Sequence, residues 1–251
     1  MKMKKLIAGL LSLCMLGALT ACDKDKKEDK ETLIMATNAT FPPYEFYEGK
    51  DIVGIDAEIA KAIADELDMT LEIEDIEFGS IVAGVQSGKY DIGAAGLTVT
   101  DERKQSVNFT ESYATGIQVV IVKNDSKIKS IDDLSKKNKI GVQQDTTGDI
   151  YASQEFGEKS VSRFNKGADA VEALKSDKVD CVIIDNEPAK SFVDANDGLK
   201  ILETEYAVED YAICVSKDND ELLNKINDAL AKLKEDGTLQ KIVDKYINSE
   251  K

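Results

Sequence analysis

Asp56-Ala57-Glu58-Ile59-Ala60-Lys61-Ala62-Ile63-Ala64-Asp65-Glu66-Leu67, followed three residues later by Leu71-Glu72-Ile73-Glu74-Asp75-Ile76, is the stretch on which the fold turns. Ile59, Ile63 and Leu67 recur at a spacing of four, which puts them on one face of a helix, and Asp56 is placed to cap it. From Leu71 the apolar positions recur every second residue, the period of a strand. Leu33 to Thr37 upstream also reads as a strand, so the order is strand, helix, strand: one βαβ unit, the building block of a parallel sheet.

The same alternation continues outward. Ile81 to Gln86 reads as a short helix, Tyr90 to Leu97 as a strand and Asp101-Glu102-Arg103-Lys104 as the charged first turn of another helix. Gly116 to Lys123 is a long β-branched strand, and Ser130-Ile131-Asp132-Asp133-Leu134 a capped short helix. Further α/β alternation runs to about residue 204. Tyr211 to Ser216 reads as a strand. Glu221 to Leu233 is amphipathic, with Leu222, Ile226, Ala229, Leu230 and Leu233 on one face. Gly237 breaks it, and Leu239, Ile242, Val243 and Tyr246 mark a last helix. The expected class is α/β with mainly parallel sheets, and 251 residues are enough for two modest lobes.

At the other end the chain opens with Lys2, Lys4 and Lys5 and an apolar run from Leu6 to Leu19, too short to span a bilayer as a stable helix. This is the pattern of an export signal over residues 1–21. It ends in Leu19-Thr20-Ala21-Cys22, which resembles the lipobox of bacterial lipoproteins, and so implies a lipid on Cys22 and anchoring to the outer face of the cell membrane. Asp23 to Glu31 is almost wholly charged and reads as a flexible tether. The lysine-rich composition and the tether lean towards a bacterium without an outer membrane. Cys181 and Cys214 remain within apolar runs. A disulfide is open to an exported protein, but free buried thiols are the favoured reading.

Composition excludes several function classes. With 48 acidic residues against 32 basic ones, the chain repels nucleic acid. It has no histidine, and so lacks the usual general base near neutral pH and the commonest metal ligand. No run resembles an Asp/Asn-Gly calcium loop. No cofactor, no metal and no catalytic residue is expected.

Five segments carry a resemblance: Ala36 to Phe46; Gly54 to Ala60; Gly96-Leu97-Thr98-Val99-Thr100-Asp101-Glu102-Arg103; Gly141 to Gly148; and Asp180 to Asp185. In order and spacing the chain resembles the polar amino-acid family of bacterial solute-binding proteins, family 3, over nearly all of residues 32 to 247. The resemblance implies a two-lobed periplasmic-binding-protein type II fold that closes on a free amino acid. Lobe one would comprise residues 32–115 and 211–251, and lobe two residues 116–210. Tyr113 to Gln118 and Glu209 to Ile213 would cross between them. ABC permease subunits are the implied partners, and a monomer is expected.

A free amino acid presents one carboxylate and one ammonium, so a closed site needs an Arg or aimed N–H groups for the first and a carboxylate for the second. Arg103 is one of two arginines, and its planar fork suits a carboxylate better than a lysine would. By resemblance Thr98 offers its hydroxyl and N–H, and Ala95 and Gly96 leave room for main-chain contact. Thr146 and Thr147 start a helix whose free N–H groups attract the same carboxylate. Asp185, at the carboxyl edge of an apolar strand, holds the ammonium by resemblance; it is also a candidate helix cap. Phe41 and Phe78 match the family's two aromatic platforms. Phe41, Tyr44, Phe46 and Tyr47 cluster in one loop, an odd place for core residues.

Asn38 departs from the Asp that relatives binding cationic side chains, or glutamine's amide, often carry, and Gln143 stands where some relatives have Lys. Together they suggest a polar or neutral amino acid such as glutamine, histidine, cystine or cysteine, with Glu45 or Asp51 as reserve charges. Three other readings stay open: a dehydratase of prephenate-like acids on the same fold, a ligand-sensing receptor domain, and an acidic structural lipoprotein.

Overall fold

The structure, a computed structural model, describes residues 30–202 and 205–247. The expected signal, Cys22 and the tether up to Asp29 lie outside the described residues.

The chain enters through β1 (Thr32–Thr37), makes a small antiparallel sheet of β2 (Thr40–Phe41), β3 (Glu45–Glu48) and β4 (Asp51–Val53), and then runs through α1 (Ile55–Glu66) into β5 (Thr70–Asp75). β1 and β5 pair in parallel from Thr32↔Thr70 to Thr37↔Asp75, so the βαβ unit forms as its periodicity predicts. Ile59 and Ile63 are fully buried on the sheet side of α1. Burying each is worth about 1.5–3 kcal/mol.

Asp56 is not the cap. The helix starts one residue earlier, behind Gly54, and the Ile55 and Asp56 amides donate to the carbonyls of Pro43 and Tyr44 at 3.0 and 2.9 Å. With backbone carbonyls satisfying these first-turn donors, the Asp56 carboxylate turns inward. There it accepts from the Gly96 N–H (2.7 Å) and the Tyr113 hydroxyl (2.8 Å).

Next come α2 (Ile81–Gln86), which matches its expected span, β6 (Ile92–Gly93), β7 (Val107–Phe109) and the long β8 (Ala114–Lys123). The strand expected over Tyr90–Leu97 is thus only two residues long. The charged segment at Asp101 makes one 3-10 turn, Arg103–Gln105, in place of a helix, because β7 follows within two residues. Beyond β8, Ser130 and Asp133 form a capping box on the 3-10 turn Ile131–Asp133. The chain continues as β9 (Ile140–Gln143), α3 (Thr147–Phe156), β10 (Val161–Phe164), α4 (Gly167–Lys175), β11 (Cys181–Asp185), α5 (Asn186–Asp194), β12 (Leu199–Ile201), β13 (Ala207–Tyr211) and β14 (Cys214–Ser216). It ends in α6 (Asp220–Glu235) and α7 (Thr238–Ile247).

Two large sheets organise these elements, one ordered β5-β1-β6-β14-β7 and the other β10-β9-β11-β8-β12 with β13 also on β8. The first three strands of each are parallel and the rest are antiparallel, so the sheets are mixed. The antiparallel strands arise where the chain crosses between sheets and returns. The run Tyr211–Ser216 is not one strand: Tyr211 ends β13 in the second sheet, Cys214 begins β14 in the first, and Ala212-Ile213 carries the chain across. β8 and β13 lie antiparallel from Ala114↔Tyr211 to Gln118↔Ala207, and together make the two-stranded link.

α1, α6 and α7 pack together, and Ile226, Ala229, Leu230 and Leu233 of α6 are buried as their spacing predicts. Cys181 and Cys214 stand in different sheets as free, fully buried thiols. Burial pushes both up to about 12, so both stay protonated at neutral pH. Among the described residues, no helix is long and apolar enough to cross a membrane.

Candidate ligand-binding cleft

The loops that follow the carboxyl ends of β1, β5, β6, β9 and β11 converge on one cleft between the two sheets, where α/β proteins place ligand contacts. It is lined by all eleven residues singled out in the sequence, together with Glu45.

Arg103 is the cleft's cation. It is buried, its Nη1 donates to the Thr98 carbonyl (2.8 Å), its Nη2 to the Asp145 carbonyl (3.2 Å), and the guanidinium lies 5.3 Å from the centre of the Phe78 ring. Thr98 belongs to the β6 side of the cleft and Asp145 to the β9 side, so one guanidinium spans both. Among the described residues no carboxylate comes within ion-pair distance of it. Burial lowers its pKa, and the negative charge of Glu209 opposes that most strongly. A guanidinium has five N–H donors, so those not used on the two carbonyls remain for an anion.

Opposite it, α3 points its N-terminus into the cleft. Thr146 caps the helix by accepting from the Asp149 N–H (3.4 Å) while its own hydroxyl donates to the Gln143 carbonyl (2.8 Å). Capping therefore occupies the Thr146 side chain and leaves Thr147 facing the cleft. The first N–H groups of such a helix have no intrahelical partner and favour an anion. Gly148 allows close packing behind them: a Cβ there would stand 2.9 Å from Gln118 Oε1 and 3.3 Å from the Ile183 carbonyl.

Asp185 ends β11 at the N-cap position of α5, yet its side chain makes no capping hydrogen bond. It instead accepts the hydroxyl of Tyr211, from the second crossing strand. Burial, then the nearby charge of Glu209, push its pKa up to about 7, against a lowering by the Tyr211 hydroxyl. Tyr211 reaches it across Gly116, where a Cβ would sit 2.2 Å from the phenol oxygen and 2.3 Å from Cζ. Gly116→Ala is therefore expected to push the buried Tyr211 ring off Asp185. The expected cost is about 1–3 kcal/mol of stability together with weakened ligand binding, read by thermal melting and titration calorimetry. A variant that melts and binds like the parent would show that the ring has room to move.

The far end of the cleft is built from Phe41, Phe78, Ala95, Gly96, Asn38, Gln143 and Glu45. Gly96 has φ of 52°, and a Cβ there would press on Phe41 at 3.0 Å. Asn38 donates to the Ile76 carbonyl (2.7 Å), and its Oδ1 accepts from Thr40 (2.9 Å) and from Gln143 Nε2 (3.0 Å) across the cleft. Gln143 Oε1 is buried without a donor, and neither Glu45 oxygen meets a donor of ordinary geometry. Burial and the facing Asp56 raise the Glu45 carboxyl well above the usual range. Of the two reserve charges, Glu45 is at the site, while Asp51 is exposed on β4 and does not line the cleft.

The aromatic loop is not what its composition suggests. Tyr44 is fully buried core, stacked on Phe41 and edge-on to Tyr211, Phe46 packs edge-on to Tyr246, and Tyr47 is half exposed with its hydroxyl on Asp75. Only Phe41 of the four lines the cleft. Sequence reasoning passed over Gln118, Glu209 and Tyr211, which stand on the crossing strands directly behind the cleft residues.

The sequence matches the family described as bacterial extracellular solute-binding proteins, family 3, over residues 33–249. The arginine-binding extracellular protein ArtP of Bacillus subtilis (strain 168) is 36% identical, covering 99% of this chain and 100% of its own length. An ancestral arginine-binding protein, solved bound to glutamine, superposes with a TM-score of 0.81 at 40% identity over 87% of this chain and 98% of its own. The ancestral amino acid-binding protein AncCDT-1, described as a precursor of cyclohexadienyl dehydratase, superposes at 0.80 and 31% identity over 86% of this chain and 95% of its own. By sequence, fold and the convergence of four of its five segments on one cleft, with the fifth placing Asp56 behind Gly96, the chain belongs to family 3 of the bacterial extracellular solute-binding proteins.

Proposed function

We propose that the protein is an extracytoplasmic receptor that captures a free amino acid between two lobes and delivers it to an ABC importer, without catalysing a reaction. The observation that carries this is a buried guanidinium with no anionic partner sharing a cleft with a buried carboxylate, Asp185. A zwitterion neutralises both, whereas either charge left alone is costly in a buried site. Arg103 and the N-terminus of α3 take the α-carboxylate, and Asp185 takes the α-ammonium. Phe41 and Phe78 flank the side chain. We place the lobe boundaries in the crossing strands, at 115/116 and 210/211, and retain lipidation at Cys22 and a monomeric state as parts of this reading.

The far end of the cleft narrows the ligand. Its free group, Gln143 Oε1, is an acceptor, so it suits a side chain that ends in N–H groups. Glutamine, histidine and cystine, whose far end carries an ammonium, keep their place, cysteine loses its own, and arginine joins because its side chain ends in N–H donors. Both arginine and glutamine appear among the names of the similar proteins.

A thermal-shift screen of the twenty amino acids plus cystine, followed by calorimetry, tests this. Melting temperature is expected to rise with one or more of glutamine, histidine, cystine and arginine and to stay level with leucine and aspartate. A screen flat for every amino acid would remove the receptor reading. Incubation with a cyclohexadienyl acid is expected to yield no aromatic product, and co-purification is expected to bring down a permease, not a kinase.

A further inference from the structure

Glu209 is a buried carboxylate on the second crossing strand, in register with Gly116 of the first. Its Oε2 accepts from the Thr98 hydroxyl (3.1 Å) and from Gln118 Nε2 (3.1 Å), while Oε1 is buried and meets no donor of ordinary geometry. Gln118 Nε2 also faces the Thr147 hydroxyl at 3.4 Å, and the two threonine hydroxyls are 3.5 Å apart. Thr98 comes from one side of the cleft and Thr147 from the other. One carboxylate therefore ties both cleft threonines to both crossing strands.

An ionised carboxylate has no proton to give, so it fixes the direction of each bond it makes. The Thr98 hydroxyl proton is committed to Glu209, and towards the cleft Thr98 Oγ1 offers only lone pairs. Thr147 receives from Gln118, and its own proton faces Thr98 Oγ1 only across the long 3.5 Å contact, which a ligand carboxylate can replace. We propose that Glu209 is a positioning residue that sets the hydrogen-bond polarity of the site, making Thr98 an acceptor for the ligand's α-ammonium and Thr147 a donor to its α-carboxylate. This rests on the amino-acid receptor reading, and it gives the Thr98 hydroxyl a definite ligand group. Without Glu209 the Thr98 proton is free to swing into the cleft, where it repels the ammonium.

The test uses calorimetry at pH 8 with L-arginine and L-glutamine, each paired with its analogue lacking the α-amino group, 5-guanidinopentanoate and glutaramate. Glu209→Gln is expected to weaken the amino acids about thirtyfold more than the analogues, the loss of one charge-assisted hydrogen bond. Thr98→Val is expected to show the same selective loss, and the double variant to be no worse than Glu209→Gln alone, since both remove one relay. Glu209→Asp keeps the charge but falls a methylene short of Thr98, and is expected to lose the same selectivity. It also serves, with Thr98→Val, if Glu209→Gln does not fold. Equal losses for amino acid and analogue would overturn the proposal. A selective loss in Glu209→Gln that Thr98→Val does not reproduce would also overturn it, leaving Glu209 as a plain counter-charge. Parent protein that binds neither amino acid would remove the receptor reading itself, and this assignment with it.

Discussion

Arg103→Ala is expected to raise the dissociation constant for the amino acid on the order of a thousandfold while leaving a folded protein. The guanidinium is held by the Thr98 and Asp145 carbonyls and the Phe78 ring, with no carboxylate of the chain at ion-pair distance. Glu209 acts on it only through space, so a directly paired anion arrives only with the ligand. Removing it strands the ligand carboxylate in a buried site, a penalty of about 3–5 kcal/mol for a broken buried pair. Arg103→Lys keeps the charge but not the fork, and so is expected to fall between parent and Ala. Because the native guanidinium is itself poorly compensated by burial, its removal is not expected to lower the unliganded melting temperature greatly. Calorimetry and thermal melting together read both parts. Unchanged affinity in Arg103→Ala would take the residue out of the site.

The second large effect concerns Asp185 and pH. Its folded pKa, about 7, lies above the ordinary value of 3.8, because burial and Glu209 disfavour the charged form. Between those values the folded, unliganded protein holds a proton that the unfolded chain has released. Its contribution to stability is therefore present at low pH and is lost as pH rises through about 7. Asp56, raised by burial to about 6, adds in the same sense. Ligand binding runs the other way, since an ammonium needs the ionised carboxylate. Affinity is expected to fall on acidification below about 7, approaching tenfold per pH unit. Asp185→Asn is expected to bind about a hundredfold more weakly at pH 8 and to lose that slope. The parent's unliganded melting temperature is expected to rise between pH 7 and 5 as its ligand-induced increment shrinks. A ligand affinity independent of pH over this range would contradict the assignment.

Much of this architecture is legible in the chain because its signals are local. The four-residue spacing in α1 and α6, the span of α2 and the capping box at Ser130 all depend on neighbours in sequence. What fails depends on distant partners. Tyr211 to Ser216 reads as one strand because each residue is strand-like, and nothing local says that Ala212-Ile213 passes between sheets. Asp56 looks like a cap until Pro43 and Tyr44 supply carbonyls to its helix. Tyr44 looks like a loop aromatic until Tyr211 arrives from the far end of the chain.

The candidate site divides the same way. Residues carried by short motifs converge on one cleft, whereas Glu209 is hard to single out among 48 acidic side chains. One trace of Glu209 was available. In Ala207-Val208-Glu209-Asp210-Tyr211 the strand period puts Glu209 on the face of Tyr211 and opposite to Val208, and Val208 is the exposed member at 64%. A carboxylate sharing a strand face with a buried tyrosine is a sequence-level hint of a polar interior.

A crystal structure with bound L-arginine or L-glutamine measures the central geometry directly. Both ligand carboxylate oxygens should lie about 3 Å from donors of Arg103 and the α3 N-terminus, and the α-ammonium about 3 Å from Asp185. A ligand whose ammonium or carboxylate points away from these two residues into solvent would contradict the account.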